Sequence, residues 1–149
     1  KIIWKSGRDN SRTPMQWDTS ANAGFTHGDP WMKVNPNYQE VNVKVQEDNP
    51  NSILHFYKRM IQLRKQHECL IYGDFKLHLK DDPNIFAYSR SEGKQTALIL
   101  NNFSKEEQTV RLPEFSGKVK RVILSNYHKD KRQTDPFILS PYETVMYLL

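Results

Sequence analysis

Cysteine is nearly absent. Cys69 is the only one in 149 residues, so no internal disulfide can form and nothing suggests an oxidising compartment. Its neighbours Leu70 and Ile71 point to a buried, inert thiol. Long apolar runs are missing as well: stretches such as "ALIL" (Ala97 to Leu100) fall far short of the ~20 residues a helix needs to cross a bilayer. No basic-then-apolar leader stands at the front, and Lys1-Ile2-Ile3-Trp4 is too short to be one. No membrane partner and a cytoplasmic location are therefore expected. The chain opens on Lys1 rather than Met, with a dense polar motif almost at once, and material upstream of it is expected.

Metal-ligand spacing is also lacking. His27, His55, His67, His78 and His128 are scattered without the pattern of a zinc site, so they read as surface or packing residues. Neither a metal nor a cofactor is expected. The adjacent pairs Asp81-Asp82 and Glu106-Glu107 sit in predicted turns, and successive strand residues point to opposite faces. They read as solvated carboxylates, so no catalytic pair is expected in this chain.

What is present is a globular composition: 37% hydrophobic, 11% aromatic and a mean hydropathy of -0.78. The net charge is +5, yet the basic groups, such as Lys58-Arg59 and Lys118 to Arg121, are dispersed. A solvated surface explains them better than a nucleic-acid patch.

Texture divides the chain into three. Residues 1 to about 48 are rich in Asn, Pro, Gly and Trp with no sustained period, and so long an irregular stretch is usually functional. Next, Asn49 as cap and Pro50 at the first position predict a helix. Ile53, Phe56, Tyr57, Met60, Ile61 and Leu63 make its apolar stripe, and Gly73 ends the surrounding run. From Asp74 onward, alternation and turn residues predict strands near 75–80, 85–90, 95–102, 108–112, 119–125, 136–139 and 143–149. That spacing indicates an antiparallel sandwich or barrel. Asn102-Phe103-Ser104 matches the glycosylation tripeptide, without other support for secretion.

"GRDNSRTPMQWD" (Gly7 to Asp18), "NAGFT" (Asn22 to Thr26), Pro30-Trp31, "VNPNYQEVNV" (Val34 to Val43) and "FYKRMIQLRK" (Phe56 to Lys65) follow in order. With "DDPNIFAYSR" (Asp81 to Arg90), "ALILNNFS" (Ala97 to Ser104) and "PYETVMYLL" at the end, the succession resembles the C-terminal part of α-glucosidases of the α-amylase superfamily. The branch is that of oligo-1,6-glucosidase, dextran glucosidase and trehalose-6-phosphate hydrolase. One departure is Gly7, where the family's pattern has Ser before Arg-Asp-Asn.

The resemblance implies a mainly β chain: an antiparallel β-sandwich C-terminal domain over 74–149. Before it, residues 1–73 would be the end of a (β/α)8 catalytic barrel, namely its eighth βα-loop and final helix. The activity implied is retaining hydrolysis of terminal α-glucosidic bonds in short oligosaccharides or disaccharides, phosphorylated or not. The nucleophile and general acid would lie upstream, so this chain alone is expected to be inactive and to have the missing N-terminal barrel as its partner. Arg8 is implied to bind the terminal glucose, since a guanidinium offers five fixed donors to vicinal hydroxyls and a carboxylate. Arg12 is a secondary candidate, more structural than substrate-binding. The competing expectation is a free-standing, non-catalytic sandwich module that binds carbohydrate or a protein.

Overall fold

Turn chemistry sets where the strands begin and end. The Asp82 carboxylate accepts the N–H groups of Asn84 and Ile85, both at 2.9 Å, and this Asx turn launches a strand. Gly93, at φ +57, opens the two-residue turn that reverses the chain between Glu92 and Gln95, which face each other across the hairpin. The computed structural model describes residues 12–127 and 135–149. Among these are seven strands: β1 Asp74–His78, β2 Ile85–Glu92, β3 Gln95–Asn102, β4 Gln108–Val110, β5 Arg121–Ser125, β6 Phe137–Leu139 and β7 Thr144–Leu148. Each coincides with a strand expected from alternation. The predicted turn from His128 to Asp135 lies outside the described residues except for its last one.

All pairings are antiparallel. One sheet has the order β1-β2-β3-β7-β5 and the other pairs β4 with β6. Period-two alternation gives the large sheet two faces. Ile85, Ala87, Leu98, Leu100, Val145 and Tyr147 point inward and meet Val110, Phe137 and Leu139 of the small sheet. This is the sandwich core, and the Phe137 and Tyr147 rings lie 5.3 Å apart in it. On the other face Ala97 and Ile99 join Cys69 and Leu70 in a second cluster, with Leu63, Tyr88 and Met146 against it. Burial pushes the Cys69 thiol above its ordinary pKa, as expected for an inert cysteine.

Two helices precede the sheet among the described residues: α1, Val43–Asp48, and α2, Ile53–Gln66. The first was not legible, because six residues are too few to show a period. It is capped by the buried Asn42, whose Oδ1 accepts the Val45 N–H at 2.9 Å. The start expected for the long helix at Asn49 is corrected. Asn49 is the C-cap of α1, extended at φ -108, ψ 106, as a residue before proline must be. Its carboxamide oxygen is occupied by the Asn51 N–H. Ser52 caps α2 instead, its hydroxyl accepting the His55 N–H at 3.3 Å and donating to the Gln46 carbonyl at 2.7 Å.

The chain falls into two compact units, one running up to Lys58 and one from Arg59 to Leu149; the division lies inside α2. The predicted stripe of that helix is not buried. Ile53, Tyr57 and Ile61 are 71%, 57% and 55% exposed, while Leu63 alone joins the outer cluster.

Within the second unit one side chain ties the connector to the sheet. Arg90 of β2 donates from Nε to the Cys69 carbonyl (3.1 Å) and from Nη2 to those of Ile71 (3.2 Å) and Gly73 (2.8 Å). Gly73 is needed there, since a Cβ would come 2.4 Å from the Cys69 oxygen. Replacing Arg90 by Met keeps the stem but removes three charged donors from half-buried carbonyls. A loss of about 2–4 kcal/mol is expected, seen as a lower urea midpoint with an unchanged slope.

Candidate functional site

Side chains that seek the backbone hold the irregular region together. The Asp18 carboxylate accepts both the N–H (2.8 Å) and the hydroxyl of Ser20, and these two hydrogen bonds hold its pKa below the ordinary value. Across the loop, the N–H groups of Trp17 and Asp18 donate to the Ala23 carbonyl at 2.9 and 3.3 Å. Asn22 closes the other side by donating from Nδ2 to the carbonyls of Gly28 (3.0 Å) and Thr26 (3.3 Å). The whole is stitched to α1 where Val43 and Lys44 donate to the carbonyls of Gln16 and Trp17, both at 3.0 Å.

This closure carries strain. Asn22, Ala23 and Gly24 take φ of 54, 58 and 68 in succession. The left-handed region is free for glycine but costs roughly 1–2 kcal/mol for alanine. Gly24 is constrained twice, because a Cβ there would lie 2.9 Å from the Asp18 carboxylate oxygen. The loop nonetheless leaves large rings outside: Trp31 is 86% exposed and Phe25 45% exposed. Trp17 is also half exposed, and its backbone rather than its ring does the anchoring.

Arg8, the candidate glucose-binding residue, lies outside the described residues. Arg12 itself is exposed. Asp81, Asp82, Glu106 and Glu107 are exposed, and Asp82 is spent on its turn. No group of His, Cys, Asp and Glu suited to a metal occurs among the described residues. Asn102 is buried with its amide donating to the carbonyls of Glu106 (2.7 Å) and Ser140 (2.9 Å). Its oxygen accepts both donors of Ser104, so the tripeptide is a structural knot, closed to a glycan.

One chain of polar groups escaped sequence reasoning. His78 is buried on the inner face of β1. Its Nε2 is 2.9 Å from Ser89 Oγ and its Nδ1 is 3.4 Å from Glu114 Oε1. A carboxylate only accepts, so Nδ1 carries the hydrogen and Nε2 accepts from the serine hydroxyl. Only register reveals this: His78 pairs with Ala87 and Lys76 with Ser89, which puts His78 and Ser89 diagonally on one face. Ser89 is itself buried and no substrate can reach it, so the trio is structural. The imidazole also meets the Phe115 ring edge-on at 5.2 Å.

Burial drives the His78 pKa below its ordinary 6.5; Glu114 opposes the shift and Lys76 adds to it. Below pH 6.5 the unfolded chain therefore binds more protons than the folded one. The stability this site contributes is complete above about pH 6.5. It is lost as pH falls from there toward the lower, folded-state pKa. Urea midpoints at pH 7.5 and 5.5 should differ more for the natural protein than for His78→Gln.

A family profile described as "Alpha amylase, catalytic domain" matches residues 1–73. A second, "Alpha-amylase SusG C-terminal domain", matches residues 85–146. The chain is 49% identical to an oligo-1,6-glucosidase of Parageobacillus thermoglucosidasius, over 99% of this chain and 26% of that protein. Among solved structures, the trehalose-6-phosphate hydrolase of Bacillus licheniformis superposes with a TM-score of 0.88 at 36% identity. It covers 99% of this chain and 27% of its own. An isomaltulose synthase from a Klebsiella species gives 0.87 at 36% identity, over 95% of this chain and 26% of its own. The chain thus spans about a quarter of the length of the proteins it matches. Its ordered motifs, its antiparallel sandwich and these matches across both halves place it in one family: it belongs to the α-amylase superfamily, in the oligo-1,6-glucosidase branch.

Proposed function

We propose that the chain is the C-terminal part of a retaining exo-α-glucosidase. The observation that carries this reading is the likeness across essentially the whole chain to an oligo-1,6-glucosidase at 49% identity. Residues 1–73 supply the eighth βα-loop and final helix of the catalytic barrel, and residues 74–149 form the C-terminal sandwich domain. The exposed stripe Ile53, Tyr57 and Ile61 supports the assignment, because a barrel helix buries that face on its neighbours. The loop then stands at the C-terminal face of the barrel, where such enzymes place their sites.

The chemistry follows from the family. A carboxylate nucleophile and a carboxylic acid about 5–5.5 Å apart break the terminal α-glucosidic bond with retention, and both belong to the upstream barrel. Arg8 contributes to the glucose subsite: its planar, permanently charged fork pairs a carboxylate and binds the hydroxyls of the terminal sugar. A fixed donor set at the floor of the pocket stops a longer chain from passing, which makes the enzyme exo-acting. Arg12 braces the loop. The substrate is a short α-glucoside, a disaccharide or oligosaccharide.

Arg8→Ala in the full-length protein is expected to lower kcat/KM on terminal α-glucosides by roughly a hundredfold or more, by losing a charged contact made in a dry pocket. Steady-state glucose release checks this, and near-normal turnover would dismiss the assignment. The 149-residue chain by itself should release no glucose.

A further inference from the structure

Where β1 turns into β2, the sandwich has a concavity of about 430 Å³, within the ~300–1,000 Å³ of small-molecule sites. Leu77, Leu79, Phe86 and Phe103 line it, and all four are exposed. Large apolar side chains gathered on one exposed surface mark a place that binds something. The rings stand on fixed backbone. Phe103 is 69% exposed, yet Asn102 before it is buried and Ser104 after it is held by the Asn102 oxygen. Its own N–H donates to the Asn84 carbonyl at 2.8 Å, which ties it to the β1–β2 loop. In that loop Leu79 holds φ +51, a left-handed conformation that residues with a Cβ rarely adopt. Such strain persists only where the surroundings over-determine it, and here the Asp82 N–H donates to the Leu79 carbonyl at 3.0 Å.

A row of rings leads away from the concavity over the outer face of the large sheet. Phe86 and Tyr88, two apart on β2, have ring centroids 5.3 Å apart, and Tyr88 is 5.3 Å from Phe75 of β1. Phe86 is 42% and Phe75 56% exposed. The polar part of the lining is Lys80, Asp82 and Asn84. Asp82 is bound by its turn through Oδ1 and contributes a negative charge opposite in sign to that of Lys80. The Lys80 ammonium and the Asn84 carboxamide have no partner among the described residues. Between them they offer five hydrogens and one amide oxygen. Aromatic faces in a row, with free donors and no net charge at one end, suit a neutral oligosaccharide. Its pyranose faces stack and its hydroxyls hydrogen-bond.

We infer that the sandwich binds an uncharged gluco-oligosaccharide here, with one sugar ring against Phe103 and Phe86 in the concavity and the following units along Tyr88 and Phe75. Lys80 and Asn84 donate to the hydroxyls of the first ring. That the sugar is α-linked glucose rests on the α-glucosidase reading above; the site itself rests on the rings and donors of residues 75–103. Binding at this surface takes internal units of a glucan, so it holds a long chain without needing its end.

The test is affinity electrophoresis of the full-length protein through native gels containing dextran, with free glucose present to fill the terminal-glucose pocket proposed above. The natural protein should be retarded. Phe103→Ala should weaken the dextran affinity about tenfold, the value of one aromatic contact, and Phe103→Trp should keep it. Glucose release from para-nitrophenyl α-glucoside by both variants should stay within about twofold of the natural rate. A natural protein that migrates unretarded overturns the proposal, the face being then covered by the rest of the polypeptide or indifferent to sugar. Equal retardation of Phe103→Ala overturns it too. Should Phe103→Ala lose hydrolysis by misfolding, Lys80→Met decides, since it changes an exposed side chain: weaker retardation supports the site and unchanged retardation overturns it. A natural protein that is retarded yet releases glucose from no α-glucoside leaves the site standing and overturns the α-glucosidase reading instead.

Discussion

The second half of the molecule depends on a guanidinium holding a turn. Residues 69–73 leave the end of α2 and must deliver the chain to the edge of a sheet, and in doing so they present carbonyl groups with no ladder to join. Arg90 captures three of them, and an unpaired carbonyl in a half-buried place would be costly. Fixing Gly73 fixes where β1 begins, and Asp74 then pairs with Ser91. From that register everything on the edge follows. His78 lands opposite Ala87, reaches Ser89 and meets Glu114 on the 3-10 turn Pro113–Phe115. A slip by one residue would turn His78 to the outer face and Leu77 into the core.

The first unit is organised by another means. Among its described residues it has no strand and only short helical pieces before α2, and it relies on Asp, Asn, Ser and Gln side chains that close its turns. Gln16 donates to Asn37 Oδ1 at 3.1 Å and also to the Val41 carbonyl; Asn42 donates to the Tyr38 carbonyl at 2.8 Å. Such a loop is stiff yet spends few apolar side chains on itself. Phe25 and Trp31 therefore remain on its surface, in the part of the chain that the catalytic-domain profile matches.

The sandwich was legible because its strands alternate cleanly between Gly, Pro, Asp and Asn turns, and α2 because its stripe is long. What was not legible has specific causes. Helix α1 is too short to show a period, and Asn49-Pro50 imitates a helix start although the Asn49 oxygen is taken by the Asn51 N–H and Ser52 does the capping. Ala23 gives no hint of a left-handed backbone; that conformation is imposed by hydrogen bonds to its carbonyl from Trp17 and Asp18. The His78 chain needed strand register, which a single sequence does not supply. For the candidate site, motif order singled out Arg8, which lies outside the described residues.

The central claim is that this chain is one part of a larger catalytic protein, and the mass of the native polypeptide tests it most directly. An antibody against residues 74–149 should detect, in cells that make the protein, a single species roughly four times the 17.6 kDa of this chain, as its 26% share of a relative implies. A native species of 17.6 kDa would contradict the account, because no nucleophile or acid would accompany the loop and the sandwich would be a free-standing module.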